Sequence, residues 1–362
     1  MANSFNYAEQ WGKELLQTII QGTLCSPFIT SNVRWLNAKT FQFPMLTTTG
    51  YKDHSRNGGW NRGNATKTDL PYTLYHDRDV EFLVDKADVD ETNEVASIQN
   101  ISQRFIDTQA NPETDAEFFS KVAQEAIENG LHIGYDTSSS AWTKSNVFSR
   151  LKTALKAGKL RVYKQRGSLI MYVRSDIMDL LEQSTDFTRK IEMTQIADGG
   201  LGIETRVTEI DGVPLMEVID DERFYTAFNF NPTDGGFVPL EAEYKLTEDI
   251  DVVEGKTYYT RSGSAGSYVY TEVASPVKTD IATYYEKTVE GARQLSVLIA
   301  STEMVKNVPK INSIYFFAPG QHTLGDGYLY QNRAYSGTFV FPNGKNGEID
   351  SIYAIYDGAT ME

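Results

Sequence analysis

Cysteine, histidine and adjacent acids are the residue types in this chain that most often carry chemistry. Cys25 is the only cysteine, so no disulfide can close within one chain and no cysteine-based zinc cluster can form. A reducing compartment is the natural place for it to fold. His54, His76, His132 and His322 are scattered, and no two stand at metal-ligand spacing. The phosphate-cradling G-x-x-x-x-G-K-[ST], the zinc helix H-E-x-x-H and the nucleophile elbow G-x-S-x-G are all missing. The Gly-Ser-Ala-Gly stretch at 263–266 has its serine out of register for an elbow and reads as a hairpin turn. Acid pairs such as Asp220-Asp221 and Glu248-Asp249 have the right groups for general acid–base work, but such pairs are far more often solvated loop residues. The residue types therefore point away from an enzyme. No catalytic, cofactor-binding or metal-ligating residue is assigned, and no cofactor is expected.

What the composition offers instead is core and contact surface. The chain has 362 residues, about two domains' worth, with 40% hydrophobic and 23% charged residues. This excludes a disordered or collagen-like protein. Its formal charge is −15, from 49 acids against 34 bases, which suits a general nucleic-acid binder poorly. Twenty-one tyrosines against four tryptophans suit β-strands and protein contacts, where a ring buries and its hydroxyl stays satisfied. Residues 1–20 do not show the basic-then-apolar pattern of a signal peptide, and no apolar run approaches the ~18 residues of a membrane span.

The elements that would position these residues follow from periodicity. Trp11, Leu15, Leu16, Ile19 and Ile20 recur at helical spacing and predict an amphipathic helix, ended by Gly22 and Pro27. Such a face docks either on its own core or on a neighbouring subunit. Residues 33–36 and the alternating Phe41, Phe43 and Met45 predict strands. Residues 50–67, rich in Gly and Asn, predict a long flexible loop, and alternation resumes at 72–76 and 80–85. Together these make an extended β-hairpin with a basic tip. Val95, Ile98, Ile101 and Phe105, then Phe119, Val122, Ala126 and Ile127, predict two helices interrupted at Asn111-Pro112. Glu113 and Asp115 would lie at the positive end of the second helix, and Gly130 would close it. A helix over 147–157, a strand over 168–173, a helix over 175–183 capped by Ser175, and strands over 203–210 and 215–218 joined by an Asp211-Gly212 turn make a mixed region. Between 240 and 290 the pattern switches to four short strands, at 244–247, 256–260, 268–273 and 283–286. This is a small inserted all-β module whose tyrosine pairs give its strands an amphipathic face; exposed tyrosines could bind sugars or protein, but forming the module's own core is the expected role. A helix over 293–305 and strands over 327–335, 338–341 and 349–356 close the chain. The fold class is α+β.

Several of these stretches, in this order, resemble the major capsid proteins of tailed bacteriophages with the Hong Kong 97 fold, especially those of phages infecting Gram-positive hosts. Residues 105–122, with Pro112-Glu113-x-Asp115 leading into Phe118-Phe119-Ser120-Lys121, are similar to the entry of that family's spine helix. Residues 146–155, then 169–177 and Phe187-x-Arg189, resemble the start of its axial domain. Residues 210–224, from Ile210-Asp211-Gly212-Val213 to Arg223-Phe224, look like its Asp-Gly-Val…Val-Pro-x-x-Arg segment, with Ile219 in place of the proline. Residues 328–341 resemble its terminal long strand, with Ser336-Gly337 departing from the usual Tyr-Asp.

The resemblance implies an N-terminal arm at 1–34, an extended β-loop with flanking strands at 35–90, and a peripheral domain with a long spine helix at 91–145. It further implies an axial domain at 146–239 and 291–318, interrupted by the module at 240–290, and a return to the peripheral domain at 319–362. Arm and loop would reach neighbouring subunits, making Trp11, Leu15, Ile19, Lys52, Arg56, Trp60, Arg62 and Lys67 candidate inter-subunit contacts. The charge blocks fit this. Lys52, Arg56, Arg62 and Lys67 face only Asp53 in the loop, residues 77–128 hold fourteen acids against four bases, and residues 143–190 hold eleven bases against four acids. Complementary patches on identical copies guide register and encounter. The implied partners are copies of itself in hexamers and pentamers, a separate scaffolding protein, a portal protein, and double-stranded DNA packaged with loose contact. No membrane is expected; the implied place is the virion, assembled in the host cytoplasm. The competing reading is a phage tail or adhesion protein that binds a host surface through the 240–290 module.

Overall fold

The computed structural model describes residues 21–31, 33–54, 58, 60–91, 98–136, 140–184, 208–249, 251–253, 256–264, 268–323, 325–343 and 347–361. The helix expected around Trp11 to Ile20 lies outside them, as does the 203–207 part of one expected strand.

A six-stranded sheet forms the centre. Its order is His132–Tyr135, Ile352–Asp357, Leu295–Ser301, Leu169–Arg174, Val213–Val218, Thr208–Ile210. The helix expected over 293–305 is therefore a strand, buried at every residue from Leu295 to Ser301. Leu298 and Ala300 face the long helix Asn111–Glu128, where Phe118, Phe119, Val122 and Ala126 pack. Val297 and Ile299 face the other way, onto the helices Val147–Ala154, Leu160–Gln165 and Ser175–Glu182 through Leu151, Leu160 and Ile177. A strand buried on both faces loses its period-2 signature, so its apolar run cannot be told from a helix by spacing alone. Each such large side chain taken from water contributes roughly 1.5–3 kcal/mol. The Asp211-Gly212 turn forms as expected, with φ of 52° and 77° at its two residues, as a tight hairpin requires.

The break expected at Asn111-Pro112 does not occur. Ile98–Phe105 runs through a π turn, Ile106–Ala110, into Asn111–Glu128. The Asn111 amide reaches back five residues to the Ile106 carbonyl. Pro112 has no N–H, and its ring would crowd the carbonyl four residues back in a regular helix. A π turn just before it relieves that conflict without ending the rod. Gly130, at φ 67°, closes the helix as expected. Ser175 is not the cap of its helix: its Oγ donates to Glu217 at 2.6 Å.

A second, outer sheet pairs Ile311–Phe317, Gly327–Ser336 and His76–Asp85 in that order, and Ile98 and Ile101 of the rod pack on it near Val84 and Tyr330. Gly327 pairs with Asp85 at such close range that a Cβ would fall 2.5 Å from the Val84 carbonyl. The 240–290 stretch forms a four-stranded sheet of its own, Glu243–Leu246, Tyr285–Val289, Tyr259–Ser262 and Val269–Glu272. Tyr258, Ile281 and Tyr284 make its small core.

Candidate assembly surfaces

Three features can join this chain to something else. The first is the root from which residues 1–20 depart. Asp115, on the rod, is fully buried and accepts from the Leu24 amide at 2.9 Å, the Cys25 amide at 3.0 Å and Arg223 Nη1 at 3.0 Å. Arg223 is also fully buried, and its Nη2 donates to Asp220 at 2.6 Å and to the Gln21 carbonyl at 3.1 Å. Gln21 in turn donates to the Glu217 carbonyl and accepts from the Ile219 amide. Tyr172 donates to the Leu24 carbonyl at 2.8 Å. Residues 21–25 are thus wired to rod and sheet together. Burial raises the Asp115 carboxyl above the usual carboxylate range, against the two amides and the guanidinium that favour its charge. Burial, with Asp115 alongside, also pushes the Cys25 thiol far up, so Cys25 is an inert core residue. Asp115 is therefore a structural anchor and not an acid placed for the helix dipole.

The second is the hairpin Thr40–Thr48 with Ala65–Thr73, registered from Thr40 opposite Thr73 to Thr48 opposite Ala65. Nine pairs give a ribbon about 30 Å long. Its base is fixed in a core of Phe41, Leu74, Val308, Tyr335, Phe339 and Phe341. Tyr75, just past it, donates to Glu117 of the rod, which also accepts from the Thr338 amide and hydroxyl. The far half is different. Leu46 is 65% exposed, most of the residues of Ala65–Thr73 are exposed, and Trp60 at the tip is 94% exposed. A two-stranded ribbon is at best marginally stable alone in water, so its far half is suited to packing against something else.

The third is the outer edge of the second sheet. Ile314, Tyr315 and Phe316 are each more than half exposed, beside a groove of about 730 Å³ lined by Ile98, Phe316, Tyr328 and Tyr330.

Of the expected contact residues, Lys52, Trp60, Arg62 and Lys67 lie on the tip and far half of the ribbon, all exposed. Lys67 bridges Asp69 at 2.9 Å, within its own strand. Arg56, like Trp11, Leu15 and Ile19, lies outside the described residues. Much of the basic block at 143–190 is satisfied inside the chain: Lys152 and Lys164 reach Asp211, Lys159 reaches Asp350 and Arg166 reaches Glu303. The acid pairs are also structural, Asp220 holding Arg223, Glu248 holding Lys245 and Asp249 holding Lys256. His76 meets Glu113, His132 meets the Tyr356 hydroxyl, and His322 meets the Gly327 carbonyl. The anchor role of Asp115 and Glu117 was legible in one signal. Asp115, Phe119, Val122 and Ala126 share a helix face, and an acid on an apolar face needs a buried partner.

No protein-family model and no curated protein matches this sequence. Solved structures do. The capsid of the cyanophage P-SCSP1u is 12% identical, with 98% of this chain and 93% of that one covered at a TM-score of 0.53. The mature capsid of bacteriophage PhiM1 is 10% identical, with 96% and 91% covered at 0.53. The Mycobacterium phage Cain structure is 11% identical, with 98% and 96% covered at 0.53. Over nearly its whole length the chain has the α+β fold of phage capsid chains.

Proposed function

We propose that this chain is the major capsid protein of a tailed bacteriophage with the Hong Kong 97 fold, many copies of which build hexamers and pentamers of an icosahedral shell around double-stranded DNA. The role is structural and not catalytic. The observation that carries the reading is the projecting ribbon, in a chain whose capsid-type fold accounts for nearly all its residues. Among the described residues, the far half of that ribbon is largely exposed, as expected of an element that another copy completes.

In this reading residues 1–34 are the arm and 35–90 the extended loop with its flanking strands. Residues 91–145 carry the spine, and 146–239 with 291–318 are the axial part. The segment 319–362 returns to the peripheral part, but its strand Ile352–Asp357 pairs in the central sheet, as does His132–Tyr135 of 91–145, while Ile311–Phe317 of 291–318 pairs in the outer sheet. Trp11, Leu15, Ile19, Lys52, Arg56, Trp60, Arg62 and Lys67 face neighbouring copies. Scaffolding and portal proteins and loosely contacted DNA complete the partner set, with assembly in the host cytoplasm. Negative-stain microscopy of the chain, expressed alone and with its neighbouring gene products, tests the reading. Closed isometric particles are expected in at least one preparation; tubes, rings or monomers in both would overturn it.

A further inference from the structure

The inserted module repeats a Thr-Tyr-Tyr sequence, at Thr257-Tyr258-Tyr259 and Thr283-Tyr284-Tyr285. In each pair the first tyrosine is buried and the second is not. The inner pair is fully employed: Tyr258 donates to Asp249 at 2.7 Å, and Tyr284 accepts from the Val277 amide. The outer pair, Tyr259 and Tyr285, stands directly opposite across two strands. Strand pairing puts Tyr244, Lys287, Arg261 and Tyr270 on that same face. Tyr244 stacks on Tyr270 at 4.0 Å and 7°, with Tyr259 edge-on to Tyr244 at 5.1 Å and Tyr285 edge-on to Tyr270 at 5.3 Å. The Arg261 guanidinium lies over Tyr285 at 4.8 Å and over Tyr268 at 4.4 Å.

We propose that this tyrosine face is a binding site for neutral glycans. Three observations select that chemistry. Among the described residues, the hydroxyls of Tyr244, Tyr270 and Tyr285 have no protein partner, in contrast to the inner pair. They are partly buried, at the margin of the stacked rings, and tyrosine rings can take the apolar face of a pyranose. Arg261 supplies further donors in a fixed fork and, among the described residues, meets rings but no carboxylate. Residues 240–290 hold ten acids against five bases, so a polyanion, whether nucleic acid or acidic polysaccharide, meets net repulsion where a neutral sugar does not. Among the described residues, the module has a sheet and a small core of its own. It joins the body through a neck in which the Ala292 amide donates to the Leu240 carbonyl at 2.7 Å.

The inference does not depend on the shell reading and is tested apart from it. The full-length chain is run in native gels containing dextran, galactomannan, xyloglucan or laminarin, with alginate as the anionic control. Retardation by at least one neutral polymer is expected, together with at least a tenfold weaker effect in Tyr270→Ala and in Arg261→Ala. Tyr270→Phe separates ring stacking from the hydroxyl and should retain part of the effect. Tyr315→Ala, on the outer sheet, should retain all of it. Retardation by none of the neutral polymers, by alginate alone, or unchanged in both Tyr270→Ala and Arg261→Ala would overturn the proposal. Circular dichroism and melting of each variant separate loss of binding from loss of fold.

Discussion

At Asp115 a carboxylate sits out of water against an equally buried guanidinium, and the rest of the arm root hangs on that pair. Removing Asp115 leaves the buried Arg223 with Asp220 as its remaining carboxylate and takes the acceptor from two buried amides, which together cost about 3–5 kcal/mol. Asp115→Ala should therefore lower unfolding stability by that amount in urea. The double variant Asp115→Leu with Arg223→Met should recover only part, since the Leu24 and Cys25 amides stay without an acceptor. Equal stability of the single variant and wild type would remove the anchor role. His132 is the residue to follow with pH. Burial holds it below the ordinary 6.5, stacked on Tyr356. The unfolded chain then binds more protons below pH 6.5, so stability present above that pH is lost as pH falls through the folded pKa. The melting temperature should fall more between pH 7 and 5 in wild type than in His132→Gln; parallel profiles would show that His132 contributes nothing.

The ribbon is the element whose sequence and surroundings disagree most with a role inside one subunit. Its base carries Phe41 and Tyr72 into an aromatic core, while Leu46 and Trp60 stay in solvent. Changing Lys52, Arg56, Arg62 and Lys67 together to Ser should leave the melting of the unassembled subunit almost untouched, because the bridge they make among the described residues, Lys67–Asp69, is exposed and worth about 0–1 kcal/mol. Particle yield should drop, and its salt dependence should flatten. Unchanged yield and salt response would remove those cations from the contact. The rod shows why element boundaries were only partly legible. Spacing located both of its segments, but whether Pro112 ends a helix or is absorbed by a π turn depends on the outer sheet and central sheet that the two segments must each reach. The 295–301 strand was misread for a similar reason, since two-sided burial erases the alternation that marks a strand.

At the scale of the whole molecule, the 240–290 stretch has a sheet and a small core of its own. The neck brings Leu240 and Ala292 into hydrogen-bond contact, and Thr226 closes it from the Arg293 side. Excising residues 241–290 and joining Leu240 to Gly291 through an Asn-Gly turn should preserve the melting transition of the central sheet and the ability to form particles. Loss of soluble, folded protein on excision would mean that the module supports the sheet.

The sequence by itself determined the α+β class, the extended ribbon with its basic tip, the short-strand pattern of the module and the absence of recognisable catalytic motifs, because these follow from local spacing, composition and turn chemistry. Only the tertiary structure decided which charges are free. Lys152, Lys159, Lys164, Arg166 and Arg174 of the basic block and the acids at 115, 220 and 249 are spent inside the chain, while Lys52 and Arg62 at the tip of the ribbon make no ion pair among the described residues. Pairing depends on distances between residues up to about two hundred positions apart, and no one-dimensional pattern carries those distances. The same holds for the outer tyrosines. Their repeat was visible in the chain, but their assembly into one face required four strands to pair in an order the sequence does not state.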